Sequence, residues 1–142
     1  MAFNVLVVDD SAVMRQMVIR TLKMSGVPLG TIHEAANGEE GLAVLSRQWV
    51  DLLLLDVNMP VMNGEEMLRR VRSSPETESL PVIVVSTEGS ETRLSALLAL
   101  RASIVRKPFA PETLRDTILR VTGVSDAEYY GAVPVANDSG DF

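Results

Sequence analysis

Cysteine is absent from the 142 residues and histidine occurs once, at His33. No disulfide, thiolate zinc site, iron–sulfur cluster or histidine-rich metal site can therefore be built. Basic residues are outnumbered, 13 Lys and Arg against 19 Asp and Glu, for a net charge of -6. So acidic a chain is poorly suited to non-specific binding of a phosphate backbone, which needs cations to displace counterions. Long hydrophobic runs are missing as well. No stretch approaches the roughly 18–20 apolar residues of a membrane span. The apolar run at the N-terminus is short, lacks a basic leader and ends in two acids, unlike a signal peptide. The chain is read as a soluble cytoplasmic protein with no membrane insertion. Its length fits one domain, large enough to bury roughly 68–70% of the unfolded chain's surface without staples.

Through the first 123 residues, short apolar runs alternate with segments of helical period. Strands are expected at Phe3–Val8, Thr31–Ala35, Leu52–Leu55, Val82–Val85 and Ser103–Val105. Three are apolar on successive residues, as parallel strands covered on both faces should be. The first helix carries Met14, Met17, Val18 and Leu22 on one face, with Gly26 placed to end it. Asn37 with Glu40, Asn63-Gly64 and Ser90 mark the next three helix starts. Pro111 opens a fifth helix, ahead of Leu114, Ile118 and Val121, and Gly123 closes it. The order βαβαβαβαβα predicts a doubly wound α/β fold, a five-stranded parallel sheet between two helical layers. Residues 124–142 differ: they hold four acids and no Lys or Arg, leaving 1–123 with a net charge of only -2. This tail is expected to be disordered, with a docking peptide or an appended extension as alternatives.

Ligands of an open parallel sheet bind beyond the carboxyl ends of its strands. There the sequence places Asp9-Asp10, Asp56, Ser86-Thr87 and Lys107-Pro108, while strand two runs into uncharged Ala36-Asn37. Converging carboxylates repel one another unless a cation is present, and an oxygen-only ligand set favours Mg²⁺. Lys107 supplies a mobile charge for a phosphate or carboxylate, and Ser86 a hydroxyl for an oxyanion. Each piece alone has an ordinary explanation as a cap or a turn. Together, at four correct strand ends, they are the parts for phosphoryl transfer to an aspartate.

These residues also carry a resemblance. Val7-Val8-Asp9-Asp10-Ser11, Leu53-Leu54-Leu55-Asp56-Val57-Asn58-Met59-Pro60, Val84-Val85-Ser86-Thr87-Glu88 and Lys107-Pro108-Phe109 resemble the receiver domain of two-component response regulators, over essentially all of residues 3–123. The stand-alone, chemotaxis (CheY-like) type is the best match. The resemblance implies a (βα)5 flavodoxin-like fold with Asp56 as phosphoacceptor, fed by a sensor histidine kinase. It implies Mg²⁺ held by Asp10, Asp56 and the Asn58 backbone carbonyl, with Asp9 acting mainly through water. Ser86 and Lys107 would contact the phosphoryl group, and the Lys107–Pro108 bond would be cis. Asn58 and Glu88 would tune self-catalysed dephosphorylation toward a short-lived signal. Thr87, Ile104 and Pro108 fall in the switch region. The family's aromatic there is replaced by Ile104, after a turn that reads one residue short, and some relatives carry tryptophan at the position of Val57.

The function so implied is a phosphorylation-controlled switch whose fourth helix, fifth strand and fifth helix bind a partner. That partner would be a flagellar motor switch protein or another chemosensory protein, and not nucleic acid. A phosphate sink or relay intermediate is the alternative. A haloacid-dehalogenase-like phosphatase is more remote, since it needs an Asp-x-Asp nucleophile after strand one. His33 is read as a packing or edge residue, rather than a phosphocarrier, at the opposite end of strand two from the carboxylates. Arg69, Arg70 and Arg72 are read as a solvated face. Trp49 is placed far from the site, and the surplus leucines of Leu94–Leu100 as a partner or dimer surface.

Overall fold

A computed structural model of the chain describes residues 2–57, 59, 62–86 and 91–123, the last range without the side chains of 91–93. Asn58, Pro60, Thr87, Glu88, Ser90 and the 124–142 tail, all singled out above, lie outside the described residues. Ten elements alternate along the chain: β1 (Phe3–Val8), α1 (Ala12–Met24), β2 (Leu29–Ala35), α2 (Gly38–Arg47), β3 (Leu52–Leu55), α3 (Gly64–Ser73), β4 (Val82–Ser86), α4 (Glu91–Ala99), β5 (Ser103–Arg106) and α5 (Pro111–Thr122). All strand pairs are parallel, in the order β2-β1-β3-β4-β5. This is the flavodoxin-like arrangement, for which chemotaxis regulators are a standing example.

The alternation of side chains along each strand divides the core in two. Leu6, Val8, Leu53, Leu55, Val82 and Val84 face α2, α3 and α4, where Met67, Leu68, Val71 and Leu97 meet them. Val5, Val7, Leu52, Leu54, Ile83 and Val85 face α1 and α5, against Val18, Ile19, Leu22, Leu114 and Ile118. Both faces of the central strands are buried, which is why the sequence there is continuously apolar.

Helix boundaries follow the expected punctuation. Asn37 accepts from the Glu40 N–H at 2.9 Å and Asn63 from the Glu66 N–H at 2.9 Å. Gly26 and Gly123 take the left-handed conformation beyond α1 and α5 (φ 82° and 73°). Ser11, not anticipated, caps α1 through Met14 N–H at 3.2 Å. The strands run slightly longer than their apolar cores: β2 begins at Leu29, where Pro28 O accepts from Phe3 N–H, and β4 and β5 reach Ser86 and Arg106.

Four readings need correction. Met17 shares the helical period of α1 but is 56% exposed; Val18, Ile19 and Leu22 form the buried side. His33 is not at the far end of its strand. It pairs with Leu6, two residues from the β2 carboxyl end, and is half-buried. Of the leucines in α4, Leu94 and Leu97 are core and only Leu98 (57% exposed) is clearly surplus. Arg72 is not solvated like Arg69 and Arg70, which make i,i+4 salt bridges with Glu65 and Glu66. Its guanidinium donates to the carbonyls of Leu100 (2.8 Å), Leu80 (2.7 Å), Glu78 (3.1 Å) and Arg101 (3.3 Å). Burial, and secondarily the neighbouring Arg101 charge, pushes its pKa below the usual arginine value.

Arg72 thus secures the end of α4. There, Ala102 N–H bonds Leu97 O and Arg101 N–H bonds Leu98 O, with Arg101 left-handed at φ 63°. This is a Schellman closure with arginine where glycine is usual. Trp49 lies at the opposite edge of the sheet from the strand carboxyl ends, 75% exposed, its indole N–H bonded to Asp51 at 2.7 Å.

Candidate functional site

Parallel strands in register deliver their last residues to one edge. Val8 pairs with both Ala35 and Leu55, so Asp9 and Asp56 emerge side by side beyond β1 and β3. The ladder continues one step further: Asp9 N–H bonds Ala35 O at 3.1 Å and Asp56 N–H bonds Val8 O at 3.0 Å. Ser86 ends β4, is 1% exposed, and its carbonyl accepts from Lys107 N–H at 3.0 Å. Backbone bonds, rather than flexible side chains, therefore fix where these groups start.

Carboxylate oxygens of Asp9, Asp10 and Asp56 all lie within 4.8 Å of one another. Asp9 is buried, Asp56 half-buried and Asp10 exposed, so the cluster opens to solvent on the Asp10 side. Asp9 has its oxygens engaged: Oδ1 accepts from Ser11 N–H at 2.9 Å, and Oδ2 stands 3.6 Å from Lys107 Nζ. Arg15 braces the same residue from below, donating to the Asp9 carbonyl at 2.7 Å while paired with Glu34 at 2.9 Å. Sequence spacing does not signal this brace, because Arg15 lies on a helix and Glu34 on β2. The Lys107–Pro108 peptide is cis.

A second close approach shapes the Asp56 loop. Gly64, first residue of α3, donates to Val57 O at 3.1 Å, and a Cβ built on it would run into the Asp56 carbonyl and lie 2.7 Å from Val57 Cα. The sequence marks Asn63-Gly64 as a helix start, yet the glycine's role is to let α3 pack onto the backbone that carries Asp56. Val57 itself is fully buried. Ile104 pairs with Val84 and packs, half-buried, against the core cluster under α2, α3 and α4.

Three carboxylates and one ammonium at a sheet edge make an anionic pocket of hard oxygen donors. It suits a divalent cation of the magnesium kind and a phosphoryl group beside it.

Comparison with known proteins bears on the same residues. The response regulator receiver domain family matches residues 5–119. The chain belongs to the response regulator receiver family. It is 36% identical over 129 residues to a chemotaxis protein CheY homolog of Campylobacter jejuni, covering 88% of this chain and 96% of that one. With the chemotaxis protein CheY1 of Helicobacter pylori it shares 34% over 127 residues, covering 87% and 99%. The crystallised chemotaxis protein CheY4 of Vibrio cholerae superposes with a TM-score of 0.75 at 38% identity, covering 85% of this chain and 99% of that one. This is a CheY-like receiver domain of two-component signalling, and the dehalogenase-like alternative falls away.

Receivers of this kind bind Mg²⁺ at an acidic site, and the Asp9–Asp10–Asp56 cluster provides one here. A receiver of this type is a signalling domain rather than a classical enzyme. No helix among the described residues is long and apolar enough to cross a membrane.

Proposed function

We propose that this receiver, comprising residues 1–123, takes a phosphoryl group onto Asp56 from the phosphohistidine of a chemotaxis-type sensor kinase in the cytoplasm. The observation that carries the proposal is the convergence of Asp9, Asp10 and Asp56 within 4.8 Å, with Lys107 3.6 Å from Asp9. A carboxylate oxygen of Asp56 attacks phosphorus, the P–N bond to the donor imidazole breaks, and the imidazole nitrogen keeps the electron pair. The same chemistry runs from a small acyl phosphate, where a P–O bond breaks and a carboxylate leaves. Autodephosphorylation is attack by water on the acyl phosphate, returning inorganic phosphate and the Asp56 carboxylate.

The chain's own residues hold the geometry of these steps. The ladder bond to Val8 O and the packing of Gly64 aim Asp56, and Asp9 is held by Ser11, Lys107 and Arg15. Mg²⁺ would sit among Asp9, Asp10 and Asp56, where it would offset phosphoryl and carboxylate charge. Lys107 then has two competing anions: Asp9 in the resting state and the new dianion once Asp56 is modified. Ser86, at the end of β4, offers the hydroxyl for a phosphoryl oxygen.

Movement of Ser86 and Lys107 toward that charge pulls on β4 and β5, and so on the surface of α4, β5 and α5. Ile104 leaves no ring to flip, so the change is carried by the α4–β5 connection. A chemosensory or motor switch protein is the partner such a surface would serve.

The test is phosphorylation by a small acyl phosphate with Mg²⁺ or with chelator, read by intact mass for wild type and Asp56→Ala. One phosphoryl group gained with Mg²⁺, lost in Asp56→Ala and decaying unaided, supports the reading. No gain in a folded protein overturns it. Partner affinity with and without phosphorylation then separates a switch from a phosphate sink.

A further inference from the structure

Two arginines stand together where β4 and β5 begin, at the edge of the sheet opposite the acidic cluster. Arg72, on α3, and Arg101, between α4 and β5, both donate to the Glu78 carbonyl, the first through Nη1 at 3.1 Å and the second through Nη2 at 2.9 Å. Like charges that share one acceptor repel each other. Arg72 registers this: burial, and then the Arg101 charge, push its pKa down. Arg15, Arg69, Arg70 and Arg115 each pair with a carboxylate. Among the described residues, neither Arg72 nor Arg101 does, and the carboxylate of exposed Glu78 makes no ion pair with them.

Both side chains line a cavity of about 350 Å³, whose wall also includes Glu78, Ser79, Pro81 and Val121. A guanidinium carries five N–H donors. Arg72 gives four to carbonyls, which fixes its orientation, and keeps one; Arg101 gives one and keeps four. The Ser79 hydroxyl is a further donor on the same wall, without a hydrogen-bond partner among the described residues. We propose that this cavity is an oxyanion site that takes a phosphoryl dianion, as free phosphate or as the end of a small phosphate ester.

Two positive charges match the two negative charges of such a group, and planar guanidinium forks meet its oxygens in pairs. A chain of net charge -6 repels anions at long range, so only a local arrangement of cations can hold one. Arg101 is that local arrangement's distinctive part. Its backbone is left-handed at φ 63°, a conformation that glycine takes freely and arginine does not. Glycine would close α4 as well, because the bonds from Arg101 and Ala102 N–H to Leu98 and Leu97 use the backbone alone. What arginine adds at this strained position is a second cation beside Arg72, and strain of this kind marks functional sites. Pro81 and Val121 supply an apolar wall for the remainder of an ester. The site is independent of Asp56 phosphorylation, which takes place beyond the other ends of the strands.

The test titrates the full chain, ¹⁵N-labelled at arginine and kept in chelator, with inorganic phosphate and with phenyl phosphate, against chloride at equal ionic strength. The proposal predicts saturable shifts of the Arg72 and Arg101 side-chain resonances with phosphate and not with chloride. Arg101→Gly relieves the left-handed backbone and should bind phosphate more weakly by about tenfold or more, through the loss of charged hydrogen bonds. Arg101→Asn, which also tolerates the left-handed region, should behave alike. Tighter binding of phenyl phosphate would identify an ester as the ligand; equal or weaker binding would identify free phosphate. Resonances that respond alike to phosphate and chloride would overturn the proposal. So would an unchanged phosphate affinity in both Arg101 variants, which would place the anion elsewhere on the protein.

Discussion

Replacing Gly64 with alanine probes how closely α3 is pressed onto the Asp56 loop. The new methyl would meet the Asp56 carbonyl and lie 2.7 Å from Val57 Cα, both backbone atoms held by the ladder bond of Asp56 and the Gly64–Val57 bond. Neither neighbour is the loose end of a side chain, so the helix or the loop must move. Overpacking of this kind costs about 1–3 kcal/mol, and a rigid backbone places it at the upper end. Alanine returns about 0.4–1 kcal/mol by restricting the unfolded chain. The net loss is about 2 kcal/mol.

Gly41→Ala is the control. There the methyl meets Met67 Cε at 2.6 Å, the tip of a side chain that can rotate away, and Val8 Cγ2 at 3.1 Å. Its cost should be close to offset, about 0.5 kcal/mol or less. Urea unfolding of both variants, with unchanged m-values, gives the comparison. Gly64→Ala should also phosphorylate more slowly than Gly41→Ala, because the displaced backbone carries Asp56. A Gly64→Ala protein as stable as Gly41→Ala would refute the argument.

Arg72→Ala should destabilise by about 2 kcal/mol, since two part-buried carbonyls, Leu80 O and Leu100 O, lose a charged donor worth roughly 1.5–3 kcal/mol each, less the regained solvation of the guanidinium. Arg72→Lys should recover less than half in the same denaturation assay, because an ammonium cannot reach both. At the helix starts, Asn63→Ala should cost about 1 kcal/mol, whereas Ala110→Asp should gain up to about 1 kcal/mol, the α5 N-cap having no side-chain bond at present. Mg²⁺ should raise the thermal midpoint, by about 2.7 kcal/mol of stability at a hundred times its dissociation constant. Asp10→Asn should blunt that gain while slightly stabilising the ion-free protein, because one of three mutually repelling charges is gone. Differential scanning calorimetry with and without the ion reads both effects.

The sheet was legible because burial on both faces leaves continuous apolar runs in β1, β3 and β4 (Val5–Val8, Leu52–Leu55 and Val82–Val85), and helix starts were legible because Asn37, Asn63 and Pro111 each do one local job. The grouping of polar residues at the strand ends was legible for a related reason. A parallel sheet maps sequence order onto one edge, so Asp9, Asp10, Asp56, Ser86 and Lys107 could be placed without knowing any side-chain contact. What periodicity could not give was the outcome of competition between neighbouring helical faces. Met17 and Ile19 both lie within reach of the α1 core stripe, and packing against α5 decides for Ile19.

Nor could composition separate Arg72 from Arg69 and Arg70. All three end the same helix, but only Arg72 faces the loop that carries Leu80 and the end of α4. Long-range polar contacts such as Arg15 with Asp9 and Glu34 have no local signature, because their partners come from separate elements. The Gly64 contact was hidden in the same way. Its helix-start signal was sufficient in itself and concealed the close approach behind it.

The central claim is that Asp56, and not another group in the acidic cluster, takes the phosphoryl group. Its most direct test is to phosphorylate the protein with a small acyl phosphate, reduce the product with borohydride and sequence the peptides by mass spectrometry. An aspartyl phosphate becomes homoserine, so the modified position is read without ambiguity. Homoserine at position 56 alone is the predicted result. Homoserine at position 9 or 10, or a phosphate ester at Ser86 with residue 56 unchanged, would contradict the account.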